Sequence, residues 1–166
     1  MCTFKSPQAF ADLVTQAVRH ASPEKYFREL LEQFQFTAAQ ASLGSRVMAT
    51  LVPKKGAAET AIDPLAPTRA VAGGWRSKSL GRTSSGIASS DESYVLGGDF
   101  TYSYSSRFGS PTLGPSETRD GGIYIAGLAK DGYLVALCSV HGSADEMWVF
   151  PKEGSAVVGG TSFRRG

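Results

Sequence analysis

The sequence predicts an α+β fold in which two amino-terminal amphipathic helices pack on a predominantly antiparallel β-sheet. Three observations predict it: two Ser-Pro helix starts followed by apolar residues at three-four spacing, an alternating aromatic run around position 102, and an Asp-Gly turn joining two apolar stretches.

The first helix begins at Ser6-Pro7, where the serine oxygen can accept from an orphan amide and proline suits the first helical position. Phe10, Leu13, Val14, Ala17, Val18 and Ala21 then mark one face, with Asp12, Gln16 and Arg19 on the other. Ser22-Pro23-Glu24 repeats the start signal. Tyr26, Phe27, Leu30, Leu31 and Phe34 give a second helix over about 23–36. Thr37 and Gln40 have the spacing of a capping box, which predicts a short third helix through Leu43 and a stop at Gly44. Beyond it, Val47, Ala49 and Leu51 alternate with polar or flexible residues and favour a strand, although Val47, Met48 and Leu51 also fit a helix.

Residues 53–91 change character. Three prolines, the Gly73-Gly74 pair and a serine-rich stretch read as a long irregular segment, of the kind that serves as a functional loop or a flexible one. Phe100, Tyr102 and Tyr104 alternate with Thr101, Ser103 and Ser105, as in a strand with one packed face. Residues 106–122, with Pro111 and Pro115, read as a second loop. Asp131-Gly132 closes a hairpin between strands over 123–129 and 133–140, and a further strand covers 146–150. Both alternating faces of that hairpin are apolar, so both need a cover. The helices supply one. The other requires the middle loop, a second sheet, a ligand or another subunit.

The expected organisation is a single domain over residues 1–166, helical over 6–43, irregular over 53–91 and sheet over 94–158. A chain of 166 residues with 42% hydrophobic and 19% charged residues can build one core without staples. Its formal charge of +2 falls short of a dedicated nucleic-acid binder, so any such role depends on local clustering. Two cysteines, Cys2 and Cys138, give no disulfide framework and favour a reducing, cytoplasmic setting. No apolar stretch reaches the ~20 residues of a membrane span.

Candidate chemistry is sparse, and no cofactor is indicated. Phosphate-loop, dinucleotide, nucleophile-elbow and zinc signatures are absent from the sequence, and no metal site is expected. Cys138 and His141 form the one nearby nucleophile and base pair, with Asp145 as the accompanying carboxylate; they meet only if the chain turns after Ser139. The bland alternative is a cysteine packed as a small hydrophobe beside a loop histidine. Residues 54–82 hold the clearest charge cluster: Lys54, Lys55, Arg69, Arg76, Lys78 and Arg82 against Glu59 and Asp63. With Trp75 beside Arg76, the set Trp75, Arg76, Lys78 and Arg82 pairs cation forks with a stacking surface for an anion or a single-stranded nucleic acid. A solvated loop anchored by Trp75 is the structural alternative.

These readings favour a non-enzymatic binding or self-assembly module that uses an apolar sheet face and long loops, with itself or another protein as partner. The alternatives are a small enzyme or ligand-binding protein with a pocket between helices and sheet, and an anion or nucleic-acid binder through residues 54–82.

Overall fold

A computed structural model describes residues 7–52, 63–84, 86–112 and 114–166. Four helices, α1 (Pro7–Val18), α2 (Pro23–Gln33), α3 (Ala38–Leu51) and α4 (Ala66–Val71), precede eight strands. These are β1 (Gly73–Thr83), β2 (Gly86–Leu96), β3 (Thr101–Ser110), β4 (Gly114–Leu128), β5 (Tyr133–Ser139), β6 (Ala144–Phe150), β7 (Ser155–Val158) and β8 (Thr161–Arg165). Each strand pairs antiparallel with the next, and β8 returns to β1, so the sheet closes into a barrel.

Closure corrects the expected architecture. The protein is mostly β, and its sheet is a closed eight-stranded barrel, not an open sheet beneath two helices. The doubly apolar hairpin is β4–β5, and its two faces have different covers. One face contributes Tyr124, Ala126, Val135 and Leu137 to the barrel interior, together with Trp75, Leu96, Tyr102, Met147, Val149 and Phe163. Its other face, Ile123, Ile125, Leu134, Ala136 and Cys138, packs beneath helices α1–α3 on Phe10, Phe27, Leu31, Val47 and Leu51. The barrel itself is the second cover, which no single strand's pattern reveals.

The helical layer includes a further correction. α3 runs unbroken from Ala38 to Leu51, replacing the expected short helix and strand, because Val47, Met48 and Leu51 bury one helical stripe completely. Glycines set its distance from its neighbours. A Cβ at Gly127 would lie 2.1 Å from Thr50 Oγ1, and one at Gly44 would lie 2.6 Å from Leu31 Cδ1. The capping box is present, and the Gln40 side chain also reaches beyond it. Its Oε1 accepts from Thr37 N while its Nε2 donates to the carbonyls of Ser139 (2.8 Å) and Ser143 (3.0 Å). One buried amide therefore starts the helix and holds the β5–β6 turn against it.

The stretch read as irregular forms regular structure from α4 onward. α4 crosses the barrel end where β1 begins, with Val71 in the interior cluster and the Trp75 indole donating to the Val71 carbonyl (3.0 Å). β1 and β2 then pair through eleven residue positions, and residues 106–122, read as a loop, are the continuation of β3 and β4. Arg164-Arg165 belong to the closing strand: Arg165 pairs with Trp75 in the ladder and its guanidinium lies 4.9 Å from the indole ring centroid.

β1–β4 extend well beyond the body of the barrel. β5 begins pairing with β4 only at Gly122, and β8 meets β1 only at Trp75 and Arg76. Residues 77–83 and 114–120 therefore form the outer edges of a four-stranded arm. Gly121-Gly122 marks the boundary in β4, where a Cβ would lie 2.8 Å from the Tyr102 carbonyl oxygen or 1.9 Å from that of Cys138. Backbones approach too closely there for any side chain.

Candidate functional site

Alternation along β5 and β6 separates the catalytic candidates. Cys138 points outward into the helix layer, fully buried, and burial pushes its thiol up to about 12. A thiol so desolvated stays protonated at neutral pH and is a poor nucleophile. Asp145 lies opposite Leu137, on the barrel-interior face of β6. His141 sits in the turn after β5 with an exposed ring. The three residues do not converge.

A constellation that sequence reasoning missed lies nearby. Ser139 Oγ donates to Asp120 Oδ2 (2.7 Å) and accepts from His141 N (3.0 Å), while His141 Nε2 stands 3.7 Å from Asp120 Oδ1. Its order differs from that of a hydrolytic triad, because the carboxylate stands between the hydroxyl and the imidazole. The hydroxyl's hydrogen bonds go to the Asp120 carboxylate and the His141 backbone N, not to the imidazole that would need to deprotonate it, so the cluster ties β4 to the end of β5. Sequence offers no signal for it: Asp120 and Ser139 lie 19 positions apart in separate strands.

Strand parity likewise divides the binding candidates. Trp75 is buried inside the barrel, and Arg76, the next residue, points outward. They cannot form one fork-and-stack site. Arg69 pairs with Asp63 (2.7 Å) at α4, and Lys54 and Lys55 lie outside the described residues. Arg76, Lys78 and Arg82 do share one face, the outer face of β1.

On that outer face the arm brings in two arginines from the stretch read as a loop. Register places Arg76, Ser93, Ser105 and Arg119 in one row across β1–β4, and Lys78, Asp91, Arg107 and Glu117 in the next. Arg76 holds Asp91 through two bonds, of 3.0 and 2.7 Å, and this pairing, with the charges of Lys78 and Arg107, keeps the Asp91 carboxyl below its ordinary range. Arg119 Nε donates to Glu117 Oε1 (2.9 Å), with Arg107 Nε 3.9 Å from the other carboxylate oxygen. Ser93 and Ser105 hydroxyls bridge the middle at 2.9 Å. Arg76, Asp91, Ser93, Ser105, Arg107, Glu117 and Arg119 of these rows line a trough of about 650 Å³, which Asp120 also lines. The trough itself is balanced in charge; the positive surplus of the outer face comes from Lys78, in the second row, and Arg82, further along β1.

The arrangement suits recognition of negative charge. Guanidinium forks and hydroxyls can exchange their internal partners for those of a ligand, and exposed pairs of this kind hold one another by only ~0–1 kcal/mol. Among the described residues no three His, Cys, Asp or Glu side chains stand close enough together to hold a metal ion, and no helix is long and apolar enough to cross a membrane. The chain matches no protein-family model, no curated protein and no solved structure.

Proposed function

We propose that the protein is a non-enzymatic binding module whose working surface is the outer face of the β1–β4 arm, and that its partner is acidic. One observation carries the reading: the two cross-strand rows gather four cations and two carboxylates on the outer face of otherwise serine-rich strands. Surplus exposed charge attracts and orients an oppositely charged partner, and screening suppresses it beyond about 10 Å at 0.1 M salt.

The test is fluorescence anisotropy of a labelled oligoglutamate at about 50 and about 300 mM salt (Debye lengths of roughly 14 and 6 Å), with wild type and Arg107→Gln/Arg119→Gln. Affinity is expected to fall steeply with salt and to fall further in the double variant. Binding unchanged by both treatments overturns the reading. A single-stranded oligonucleotide added as competitor assigns the surface to nucleic acid if it displaces oligoglutamate at far lower concentration.

Self-association is a second reading, and it now rests on the arm tip because both faces of the β4–β5 hairpin are covered. Leu80 and Ile87, at 78% and 63% exposure, are the most exposed large apolar side chains among the described residues and share one face of the β1–β2 hairpin. Native mass spectrometry over a concentration series should then show a dimer that Leu80→Ser/Ile87→Ser abolishes; a monomer at every concentration rejects it.

A further inference from the structure

We infer that the free edge of β1 is an acceptor for an extended acidic segment of a partner protein, which adds to the arm as a further strand. The inference rests on the arm being the binding element and specifies how the partner engages it.

The edge exists because the barrel closes over a short distance. β8 pairs with β1 only at Trp75↔Arg165 and Arg76↔Arg164, whereas β1 continues to Thr83. Along residues 77–82 β1 has β2 on one side and no strand among the described residues on the other. Six residues at ~3.4 Å each leave about 20 Å of backbone open to pairing. Such a row of donors and acceptors is what strand addition uses, main-chain bonds giving affinity and alternate side chains giving selectivity.

The side chains of this edge choose the occupant. Lys78, Leu80 and Arg82 alternate on the outer face, with Ser77, Ser79 and Gly81 between them. Leu80 is 78% exposed, since its cross-strand partners along the row are Ser89 and Gly109. A second copy of the same edge is a poor occupant: antiparallel pairing centred on Leu80 would set Lys78 against Arg82 of the other copy, and like charges directly opposite destabilise a ladder. The complementary strand carries an apolar residue opposite Leu80 and a carboxylate two positions to either side. That pattern, acid-x-apolar-x-acid, is the same in both chain directions, so it selects composition without demanding one orientation.

The experiment is anisotropy with a labelled peptide centred on Glu-Thr-Val-Thr-Glu, a charge-reversed peptide centred on Lys-Thr-Val-Thr-Lys, and a Glu peptide in which both threonines are proline. Wild type should bind the Glu peptide at least about tenfold tighter than either control, and Lys78→Glu/Arg82→Glu should reverse the preference between the charged peptides. Amide exchange on the unsubstituted protein should show residues 77–82 protected by the Glu peptide, a readout independent of variant folding. If the proline peptide binds equally well, or the preference does not reverse, the edge is not the acceptor. Loss of Glu-peptide binding in Arg107→Gln/Arg119→Gln but not in Lys78→Glu/Arg82→Glu overturns the edge alone and leaves the acidic-partner reading standing. Failure of wild type to bind the Glu peptide or oligoglutamate overturns both.

Discussion

The two ends of β4 are one strand in two environments. Over residues 123–127 it is buried on both faces, Tyr124 and Ala126 in the barrel interior and Ile123 and Ile125 beneath the helices. Over residues 115–119 it is exposed, carrying Ser116, Glu117, Thr118 and Arg119. The change comes at Gly121-Gly122, where β5 joins. Where the ring of strands is complete, enclosure excludes water and apolar side chains are favoured; where only β1–β4 continue, the same backbone ladder is held with polar side chains. The barrel body carries the buried apolar side chains, and the arm carries charged and hydroxyl side chains that a core would not tolerate.

The sharpest way to break that contrast is to truncate one large side chain in each region. Trp75→Ala empties a fully buried interior position and should cost ~3–5 kcal/mol in urea unfolding, whereas Leu80→Ser in the arm should fall within about 0.5 kcal/mol of wild type. Gln40→Leu comes next. It removes the Gln40 amide donor from the Ser139 and Ser143 carbonyls and the Oε1 half of the α3 capping box, while the Thr37 hydroxyl still accepts from the backbone N of residue 40; the expected loss is ~1–3 kcal/mol, with faster amide exchange in the β5–β6 turn. Gly122→Ala tests the boundary itself: a methyl aimed at the Cys138 carbonyl should cost ~1–3 kcal/mol, while Gly114→Ser, in open space at the arm tip, is limited to its backbone strain of ~1 kcal/mol.

The smallest expected effect is a pH dependence in the arm. The Asp91 carboxyl is held below 3.8, first by its bonds to Arg76. A lowered folded value means stability that is present above 3.8 and lost as pH falls through the folded value. Asp91→Asn should therefore lower stability slightly above about pH 4 and match wild type below the folded value, giving a flatter profile that thermal melts across that range would record.

Sequence legibility follows the same division. α1 and α2 were readable from their apolar period and their prolines, although the Ser22 side chain makes no cap bond, and the capping box at Thr37 and Gln40 from local chemistry. The β4–β5 hairpin was readable as two apolar runs about Asp131-Gly132, but residues 129–132 connect it and neither Asp131 nor Gly132 has positive φ. The arm strands were not: Arg76 to Thr83 and residues 106–120 have no apolar alternation, and they are strands because their backbones pair in long registers. Two covers for the β4–β5 hairpin were legible as a requirement, yet closure was not, since it depends on two residue pairs between strands some ninety positions apart. The site shows the same limit. Arg76, Lys78 and Arg82 stood out as charge, but Arg107 and Arg119 lay in a supposed loop. Reading β1 as irregular also placed Trp75 and Arg76 together, when strand parity sets them on opposite faces.

Amide hydrogen exchange with and without the Glu-Thr-Val-Thr-Glu peptide tests the central claim most directly, because it reports on body and arm in one experiment. Exchange should be slow over residues 123–128 and 133–139 whether or not peptide is present, and fast at the alternate amides of 77–82 that point away from β2 until peptide is added, when it should slow. Uniformly slow exchange through the arm, or peptide protection confined to α1–α3, would contradict the division into a stable body and a binding arm.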